Sequence, residues 1–439
     1  MPSPTPKGEA FGFACGRGEL TLYPQRQTYL SVNPMYPTQS HLALPFFDPH
    51  HATLGAGVAN WMATQHIDET DDRGACRQWV RALGDAGWLR YCVPSGDGGE
   101  LGGALERLDS RALVVLRETL AFHSPLADFA FAMQGLGSGA ITLAGSAVQQ
   151  QAYLPAVARG DKIAAFALSE AEAGSDVGAM KTEAAPAIST RAEGQFGYQL
   201  NGSKTWISNG GIADFYVVFA KTAPHAGTRG ISAFIVDAST PGLDASQHIH
   251  LMAPHPLATL TFNNCPLPDS ALLGELQGGF KLAMRTLDIF RASVAAAALG
   301  MARRALAEAV AYARQRKMFG QTLADFQLTQ AKIGEMAALV DAAALLTYRA
   351  AWLRDVAGAS TTIEAGGPTN VSVAAAMSKM TATENAQRVI DMALQLHGGL
   401  GVQVGTKVES LYRDIRSLRI YEGATEVQQL IIGKAVLKG

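Results

Sequence analysis

The hydrophobic periodicity of the chain changes at two points, and these changes constrain the fold more than any other feature. Between residues 45 and about 160, apolar residues such as Trp79 and Leu83 recur at helical spacing. Between about 162 and 274 apolar residues alternate instead, as is typical of β-strands. From Gly278 onward the helical spacing returns. The sequence therefore predicts helices, then a β region, then helices.

Local patterns add detail to this order. In the β region, residues 198–200 and 204–206 flank the dipeptide Asn201-Gly202, which predicts a hairpin with a two-residue turn. In the last region, long Ala-rich helices with apolar faces fit the packing of a four-helix bundle. They are predicted at 295–314, 328–353, 370–397 and 426–437. The predicted domains are an extension at 1–42 that is poorly ordered, an N-terminal helical domain at 43–160, a β domain at 161–276 and a C-terminal helical domain at 277–439.

The composition excludes several classes of partner. The net charge of -2 gives no electrostatic reason to expect binding to nucleic acid or to an anionic membrane. The most apolar helical stretch, 337–353, is interrupted by Asp341 and Arg349, so no membrane insertion is expected. The N-terminus lacks the pattern of a secretory signal. Four cysteines without metal-like spacing predict no metal site and a reducing, cytoplasmic location: Cys15, Cys76, Cys92 and Cys265.

The glycine run at 135–139 is similar to part of a dinucleotide-binding fingerprint. It follows a helical pattern rather than a strand, and no βαβ pattern surrounds it. We therefore reject a Rossmann site there.

The densest chemical signal lies at residues 166–177. Short hydroxyl residues and glycine offer backbone N–H and hydroxyl donors at close range, which suits a ring system with carbonyls and a pyrophosphate. A second signal lies at 201–209, where Trp206 and hydroxyl residues share one predicted hairpin. An isolated Trp is more often a core residue, so this signal alone favours core packing.

Near the C-terminus, the carboxylate of Glu422 is followed directly by Gly423 and then by a predicted helix. Thr425 and Gln428 fit a capping box at the start of that helix. Such a carboxylate is well placed to project into a cavity. Taken alone, an acidic residue in an exposed turn is the better reading.

Taken together, these motifs resemble the acyl-CoA dehydrogenase family of FAD-dependent flavoproteins, over residues from about 44 to 438. The resemblance implies an α+β fold with an N-terminal all-α domain, a middle β-barrel or sandwich domain and a C-terminal four-helix bundle. It also implies FAD as the cofactor. Residues that border the flavin in this resemblance are Phe166, Leu168, Ser169, Gly174, Ser175, Trp206, Ile207 and Ser208.

The C-terminal motifs extend the resemblance to contacts between subunits. Residues 316–320 resemble a segment whose Arg reaches the FAD pyrophosphate across subunits, and 395–401 resemble a second intersubunit FAD contact. The cofactor contacts implied here are Arg316, Phe319, Gln327, Gln395, Gly398, Gly399 and Thr425. The substrate contacts implied are Ser175, Asp288, Arg291, Tyr421 and Gly423. Without the resemblance, a structural Arg would explain Arg291, and a helix end would explain 395–401.

The reaction implied is α,β-dehydrogenation of an acyl-CoA to a trans-2-enoyl-CoA, in acyl-CoA catabolism. Glu422 falls where much of the family carries the base that takes the α-proton while a hydride leaves for flavin N5. A branch of the family carries its Glu immediately before the Arg matched by Arg291, but here that position is Phe290. The family implies an electron-transferring flavoprotein as acceptor and a homo-oligomer, either a dimer or a homotetramer.

Departures from the family pattern leave alternatives open. Ala424 stands where many members have Thr, and the loop at 252–256 differs from its usual form. His255 in this loop is expected to be structural or solvent-facing. The alternatives are another flavin enzyme on the same fold, namely an oxidase, a desulfinase or a monooxygenase, or a flavin-binding protein without catalysis.

Overall fold

The structure, a computed structural model, describes residues 40–187, 196–357 and 371–438, which belong to one compact unit. Most of the predicted extension at 1–42 lies outside the described residues. Its last residues form a short 3-10 helix, Ser40–Ala43, in which Leu42 is buried. The folded part therefore includes at least residues 40–42 of that predicted extension.

The N-terminal region is helical, as predicted. Its helices are α1 (Pro49–Met62), α2 (Asp72–Asp85), α3 (Ser110–His123), α4 (Pro125–Ala144) and α5 (Ala147–Arg159). Polar side chains cap them: Asp109 accepts a hydrogen bond from the N–H of Ala112, and Ser124 accepts one from the N–H of Ala127. Helix α4 is buried on all its faces from residue 125 to 141, so it lies at the centre of this region.

The glycine run at 135–139 lies inside α4, which confirms that it is not a strand-to-helix nucleotide loop. Gly135 and Gly139 are four residues apart and so face the same side of the helix. A Cβ atom on Gly135 would lie 2.7 Å from Cε1 of Phe290, and one on Gly139 would lie 3.0 Å from Cε2 of the same ring. These glycines therefore make room for the Phe290 ring.

The middle region forms a mixed sheet of eight strands. The strands are β1 (Ala164–Ala167), β2 (Glu183–Pro186), β3 (Phe196–Ser208), β4 (Phe215–Lys221), β5 (Ile231–Asp237), β6 (Leu243–Ile249), β7 (Leu257–Pro268) and β8 (Leu272–Leu273). The order is β6-β7-β3-β2-β4-β5-β8, and β1 pairs with β4 in parallel. Strand β4 is buried on both faces from residue 215 to 220, so it carries the core of the sheet.

The predicted hairpin at Asn201-Gly202 is wrong. Strand β3 runs straight through this dipeptide, with β2 on one side and β7 on the other. Gly202 has a φ of 135° at an irregularity in the pairing with β7, and a Cβ atom there would lie 2.7 Å from Cα of Thr182. Gly202 therefore allows two strands to approach each other closely. No turn forms at this dipeptide, because β3 pairs with a neighbouring strand on each side.

The C-terminal region returns to helix, as predicted. Its elements are α6 (Gly279–Gln315), the short strands β9 (Lys317–Met318) and β10 (Gln321–Thr322), α7 (Gln327–Ala357), α8 (Val371–His397), α9 (Lys407–Leu418) and α10 (Thr425–Lys438). Helices α6, α7 and α8 pack against one another, and α10 packs against α8. Helix α8 ends at His397, and Gly398 follows with a φ of 58°.

Helix α7 contains the one described stretch, Gln327–Val356, whose length and apolar character would suit a membrane span. Half of its most apolar part is buried within the protein. The hydroxyl of Tyr348 donates a hydrogen bond to Glu118 over 2.8 Å, and Asp355 accepts hydrogen bonds from the N–H groups of Ser110 and Arg111. Because α7 makes these polar contacts with α3, we assign it as a helix packed in the core of the protein.

Candidate active site

Glu422 lies in the tight connection between α9 and α10. It has a φ of 53°, and Gly423 after it has a φ of 93°, so consecutive residues adopt left-handed backbone conformations. The residue as a whole is half-buried, but its Oε2 atom is buried and has no hydrogen-bond partner among the described residues. A buried carboxylate oxygen without a partner is costly unless a ligand completes it, so this atom marks a candidate reactive group.

Burial raises the pKa of Glu422, and the charges of Arg117, Lys379 and Arg291 oppose that rise. Asp128 adds to the rise. The side chain is therefore a stronger base than an exposed glutamate, while the nearby cations still favour its ionised form.

The turn is held through the carbonyl of Gly423. The Nζ of Lys379, on α8, donates a hydrogen bond to this oxygen over 2.7 Å, and the Nε2 of Gln428 donates another over 2.9 Å. Burial lowers the pKa of Lys379 to about 8, and the charge of Glu422 partly offsets that fall. Lys379 was not among the predicted site residues.

A buried ion pair lies beside this turn. The Nε and Nη2 of Arg117 donate to the two carboxylate oxygens of Asp128 over 2.8 and 2.9 Å, and Nη1 donates to the hydroxyl of Ser293 over 2.9 Å. Burial alone would lower the pKa of Arg117, but the charge of Asp128 outweighs it, so the pKa is raised. Burial raises the pKa of Tyr421, so its side chain stays a neutral phenol.

The predicted substrate contacts Asp288 and Arg291 are paired with each other on α6. Nη1 of Arg291 donates to Asp288, and the hydroxyl of Ser372 donates to the other oxygen of Asp288 over 2.9 Å. The Nε of Arg291 is buried without a partner among the described residues. Because the charge of Arg291 also acts on Glu422, the structure brings this predicted contact to the region of the predicted base.

The two flavin motifs of the sequence meet in the β region. Nζ of Lys204 donates to Glu170 over 2.7 Å and to the carbonyl of Leu168 over 3.0 Å, and the N–H of Thr205 donates to the carbonyl of Ser169 over 3.0 Å. Burial lowers the pKa of Lys204 to about 8, and the charge of Glu170 opposes this fall. This buried pair ties the segment at 168–170 to the strand that carries Trp206.

The surface beside this junction is open. Trp206 is 52% exposed at a φ of 54°, Ser175 is exposed, and a Cβ atom on Gly174 would contact nothing within 4 Å. Leu168 and Ile207 are buried, so any cofactor contact from them would come from the backbone. Phe166 and Ser208 are half-buried; Phe166 packs against Phe219, with ring centroids 4.9 Å apart.

The predicted intersubunit contacts lie on exposed surface. Phe319 is 87% exposed in the turn between β9 and β10, and Arg316 before it is exposed. Tyr312 stacks on His397 with ring centroids 4.3 Å apart, so the ends of α6 and α8 meet. Gln327 and Gln395 are exposed, and Gly398 and Gly399 have open space where a Cβ would lie.

The structure differs from the prediction for Thr425 and decides between the two alternatives predicted for His255. Thr425 is the first residue of α10, and its hydroxyl donates to Glu384 over 2.6 Å, whereas the predicted capping box required it to accept from the helix backbone. His255 is buried and stacks on Phe129 with ring centroids 4.5 Å apart, so of the two predicted alternatives the structural one fits and the solvent-facing one does not. Burial lowers the pKa of His255 to about 4, and the ring is neutral at neutral pH.

Family models of the acyl-CoA dehydrogenases match most of the chain. The N-terminal domain model matches residues 49–161, the middle domain model matches 165–265 and the C-terminal domain model matches 277–437. These matches follow the helix, sheet and helix order of the structure.

Curated proteins and solved structures give the same picture. The chain is 38% identical over 401 residues to a 3-(aryl)acrylate reductase of Clostridium sporogenes, covering 90% of this chain and 100% of that protein. It is 36% identical over 381 residues to subunit CarC of a caffeyl-CoA reductase-Etf complex of Acetobacterium woodii, covering 86% of this chain and 94% of that protein. A crystal structure of an acyl-CoA dehydrogenase complexed with FAD from Bacillus anthracis is similar with a TM-score of 0.80 and 30% identity, covering 89% of this chain and 67% of that one.

Proposed function

Because the chain belongs to the acyl-CoA dehydrogenase family, we propose that it oxidises the α,β-bond of an acyl-CoA thioester to a trans-2-enoyl-CoA, with Glu422 as the base. The chain is an FAD-dependent oxidoreductase, as the family is. The observation that carries the proposal is the buried Oε2 of Glu422, which has no hydrogen-bond partner in the described part of the chain and lies in a strained turn.

The residues on the open surface fit FAD. The exposed Trp206 offers a flat face, and the space beside Gly174 admits a ligand close to the backbone. Ser169, Ser175 and Ser208 offer hydroxyl groups beside it. When bound, the flavin supplies the hydride acceptor, at N5, for the hydrogen that leaves the β-carbon.

The protein's own task is to move the α-proton. The Oε2 of Glu422 takes it, and burial makes this carboxylate basic enough to compete for a weakly acidic C–H. The backbone N–H of Glu422 donates to the thioester oxygen and so stabilises the enolate-like charge. Within the described ranges no backbone carbonyl accepts from this N–H, which leaves it free for that role.

No rival base occupies the neighbouring position on α6. Phe290 stands directly before Arg291, and its ring is buried against Gly135 and Gly139 of α4. An aromatic ring cannot accept a proton from the substrate, so Glu422 is the proposed base by itself. Arg291 and Asp288 are the proposed anchor for the CoA part, because Nε of Arg291 is buried and has no hydrogen-bond partner within the ranges that the structure describes.

The proposal extends to partners and location. We infer a homo-oligomer in which the segment at 316–320 contacts FAD of a second subunit, a cytoplasmic location and a role in acyl-CoA catabolism. An electron-transferring flavoprotein is the proposed electron acceptor, and a relative that forms a reductase-Etf complex supports it.

A second candidate is the reverse reaction, reduction of an enoyl-CoA. It is favoured by the names of relatives, which include an arylacrylate reductase and a caffeyl-CoA reductase. The same site serves both directions, since Glu422 would then return a proton to the α-carbon. The direction depends on the redox partner.

The test is anaerobic mixing of the purified flavoprotein with straight, branched, cyclic and aryl acyl-CoAs, following bleaching of the oxidised flavin band. Bleaching by at least one thioester is expected. The dithionite-reduced protein is mixed with the matching enoyl-CoAs, and return of the band measures the reverse direction. If no thioester changes the flavin in either direction, the proposed function is wrong. Peroxide formation in air would instead support an oxidase.

Substitution of Glu422 tests the base. Glu422→Gln keeps the size of the side chain and removes its proton-accepting ability. We expect FAD and CoA-ligand binding to be retained and the rate of flavin reduction to fall by a factor of about 10²–10⁴. A variant that reduces its flavin at the wild-type rate would refute the assignment.

A further inference from the structure

A buried ammonium group sits behind the turn that carries Glu422. We propose that Lys379 is a positioning residue for Glu422, which fixes the turn and keeps the carboxylate ionised until it takes the α-proton. The inference rests on the proposed function for its catalytic meaning. Its physical content, a charge that acts on Glu422, can be measured without turnover.

The geometry places Lys379 directly against the turn. Its side chain has 0% exposure, on the inner face of α8, and its Nζ donates to the carbonyl of Gly423 over 2.7 Å. The positive φ values of Glu422 and Gly423 are sparsely populated for most residues and persist where the surroundings hold them. The hydrogen bond from Lys379 is one such support.

Anchoring alone does not call for an ammonium group. Gln428 donates to the same carbonyl over 2.9 Å, so an amide already holds this oxygen. Burying a lysine is unfavourable because the cation loses its water. What Lys379 adds to the contact made by Gln428 is therefore its positive charge.

The charges around Glu422 make Lys379 distinctive. Groups facing it come from α3 (Arg117), α4 (Asp128), α6 (Arg291) and α8 (Lys379), and Tyr421 adjoins it as a neutral phenol. Arg117 is paired with Asp128 and Arg291 with Asp288.

Lys379 has no carboxylate within salt-bridge distance in the described part of the chain, and the charge acting on it most strongly is that of Glu422. Glu384 and Glu426 act on it less, and Glu384 is paired with Arg419 over 2.8 Å. The charge of Arg117 acts on Glu422 more strongly, but Arg117 and Arg291 are each held by an aspartate. Lys379 is therefore the cation near Glu422 that has no carboxylate partner of its own among the described residues.

The test compares variants that separate charge from anchoring. Lys379→Met removes both, Lys379→Gln removes the charge, and Lys379→Arg keeps the charge. Gln428→Met is the matched control, because it removes a donor to the same carbonyl and no charge. In the FAD-loaded protein, the pH profile of flavin reduction by a reactive acyl-CoA is measured for each.

Loss of the cation raises the pKa of Glu422, so the acid limb of the profile should move to higher pH by about one unit in Lys379→Met and Lys379→Gln. Lys379→Arg should keep the wild-type limb, and Gln428→Met should lower the rate without moving the limb. The inference is overturned if folded Lys379→Gln shows the wild-type limb, or if Gln428→Met moves it as far. If Lys379→Met does not fold, the acid limb of Lys379→Gln tests the inference.

An infrared titration separates this inference from the proposed function. The protonated carboxyl band of Glu422 is assigned by its disappearance in Glu422→Gln, and its midpoint is followed with pH. A midpoint that rises by about one unit in Lys379→Gln supports the inference even if no acyl-CoA reduces the flavin. An unchanged midpoint refutes it even if the enzyme is active.

Discussion

The carboxylate of Glu422 shares its surroundings with a completely buried ion pair. Arg117 and Asp128 satisfy each other through two hydrogen bonds, and Ser293 accepts a third from the guanidinium. At Glu422 the positive charge of Arg117 acts more strongly than the negative charge of Asp128, so the pair still favours the ionised carboxylate. The base therefore owes its raised pKa first to burial, and the charges of Arg117, Lys379 and Arg291, in that order, limit the rise.

Removing one member of this pair should be costly. In Arg117→Met, Asp128 is left as a buried carboxylate without a partner, so the free energy of unfolding should fall by about 3–5 kcal/mol. Urea denaturation followed by circular dichroism measures the change. The double variant Arg117→Met/Asp128→Leu removes both charges and should recover much of the loss. A double variant as unstable as Arg117→Met would show that the loss has another source.

Single residues of the candidate site could be predicted from sequence only because several motifs together resemble one family. Taken alone, Glu422 before its glycine indicates an exposed turn, and Trp206 among hydroxyl residues indicates core packing, but each lies in a motif that marks it once the set is considered. Lys379 carries no such mark, because a lysine in an Ala-rich helix reads as a solvated residue. Its burial depends on how α8 packs against the turn before α10, and sequence spacing does not contain that information.

In α4, a glycine run that is similar to a nucleotide-binding motif has a role in helix packing. Gly135 and Gly139 open a gap on one face of the helix, and Phe290 of α6 fills it. The N-terminal helices and the C-terminal bundle therefore meet with α4 and α6 close together. The same contact fixes Phe290 at the position directly before Arg291, so this position offers no base.

A methyl group in this gap should disturb the contact. In Gly135→Ala the new Cβ would lie 2.7 Å from the buried Phe290 ring, so overpacking should lower the free energy of unfolding by about 1–3 kcal/mol. Gly334→Ala on α7 is the control, since nothing lies within 4 Å of its Cβ position. It should instead gain about 0.5–1 kcal/mol from helix propensity. Equal effects of the two changes in urea denaturation would contradict the role of the gap.

Helices with a long hydrophobic periodicity were predicted well. Strands were predicted poorly where pairing with neighbouring strands determines the structure. Three long helices of the C-terminal region, α7, α8 and α10, were predicted close to their observed bounds, whereas α6 begins at Gly279, well before the predicted start at 295. The hairpin was wrong because pairing of β3 with two neighbours outweighs the turn preference of Asn-Gly. Helix α9 was missed although a signal existed: its buried apolar residues recur at helical spacing, at Val408, Leu411, Ile415 and Leu418.

At the scale of the whole molecule, several exposed apolar side chains indicate a surface that binds a partner. Phe319 is almost fully exposed on the hairpin between α6 and α7, and its ring meets the edge of the Phe326 ring, with centroids 6.4 Å apart. Leu328, Val402 and Val404 are exposed as well. Large exposed apolar residues typically mark an interaction surface. The hairpin also carries Arg316, which suits recognition of a phosphate group.

A charge on this hairpin should therefore weaken assembly and cofactor binding together. Phe319→Asp places a carboxylate where we expect the second subunit, so light scattering at a fixed protein concentration should give a smaller mass. FAD should dissociate faster, because Arg316 and Phe319 share the hairpin; release is followed by the rise in flavin fluorescence. Val148→Asp is the matched control, as Val148 is 80% exposed on α5 and lies outside the predicted interface. If both variants keep the wild-type mass and release FAD at the same rate, the hairpin is not a subunit contact. A variant that loses FAD but keeps its mass would place the hairpin at the cofactor and the subunit interface elsewhere.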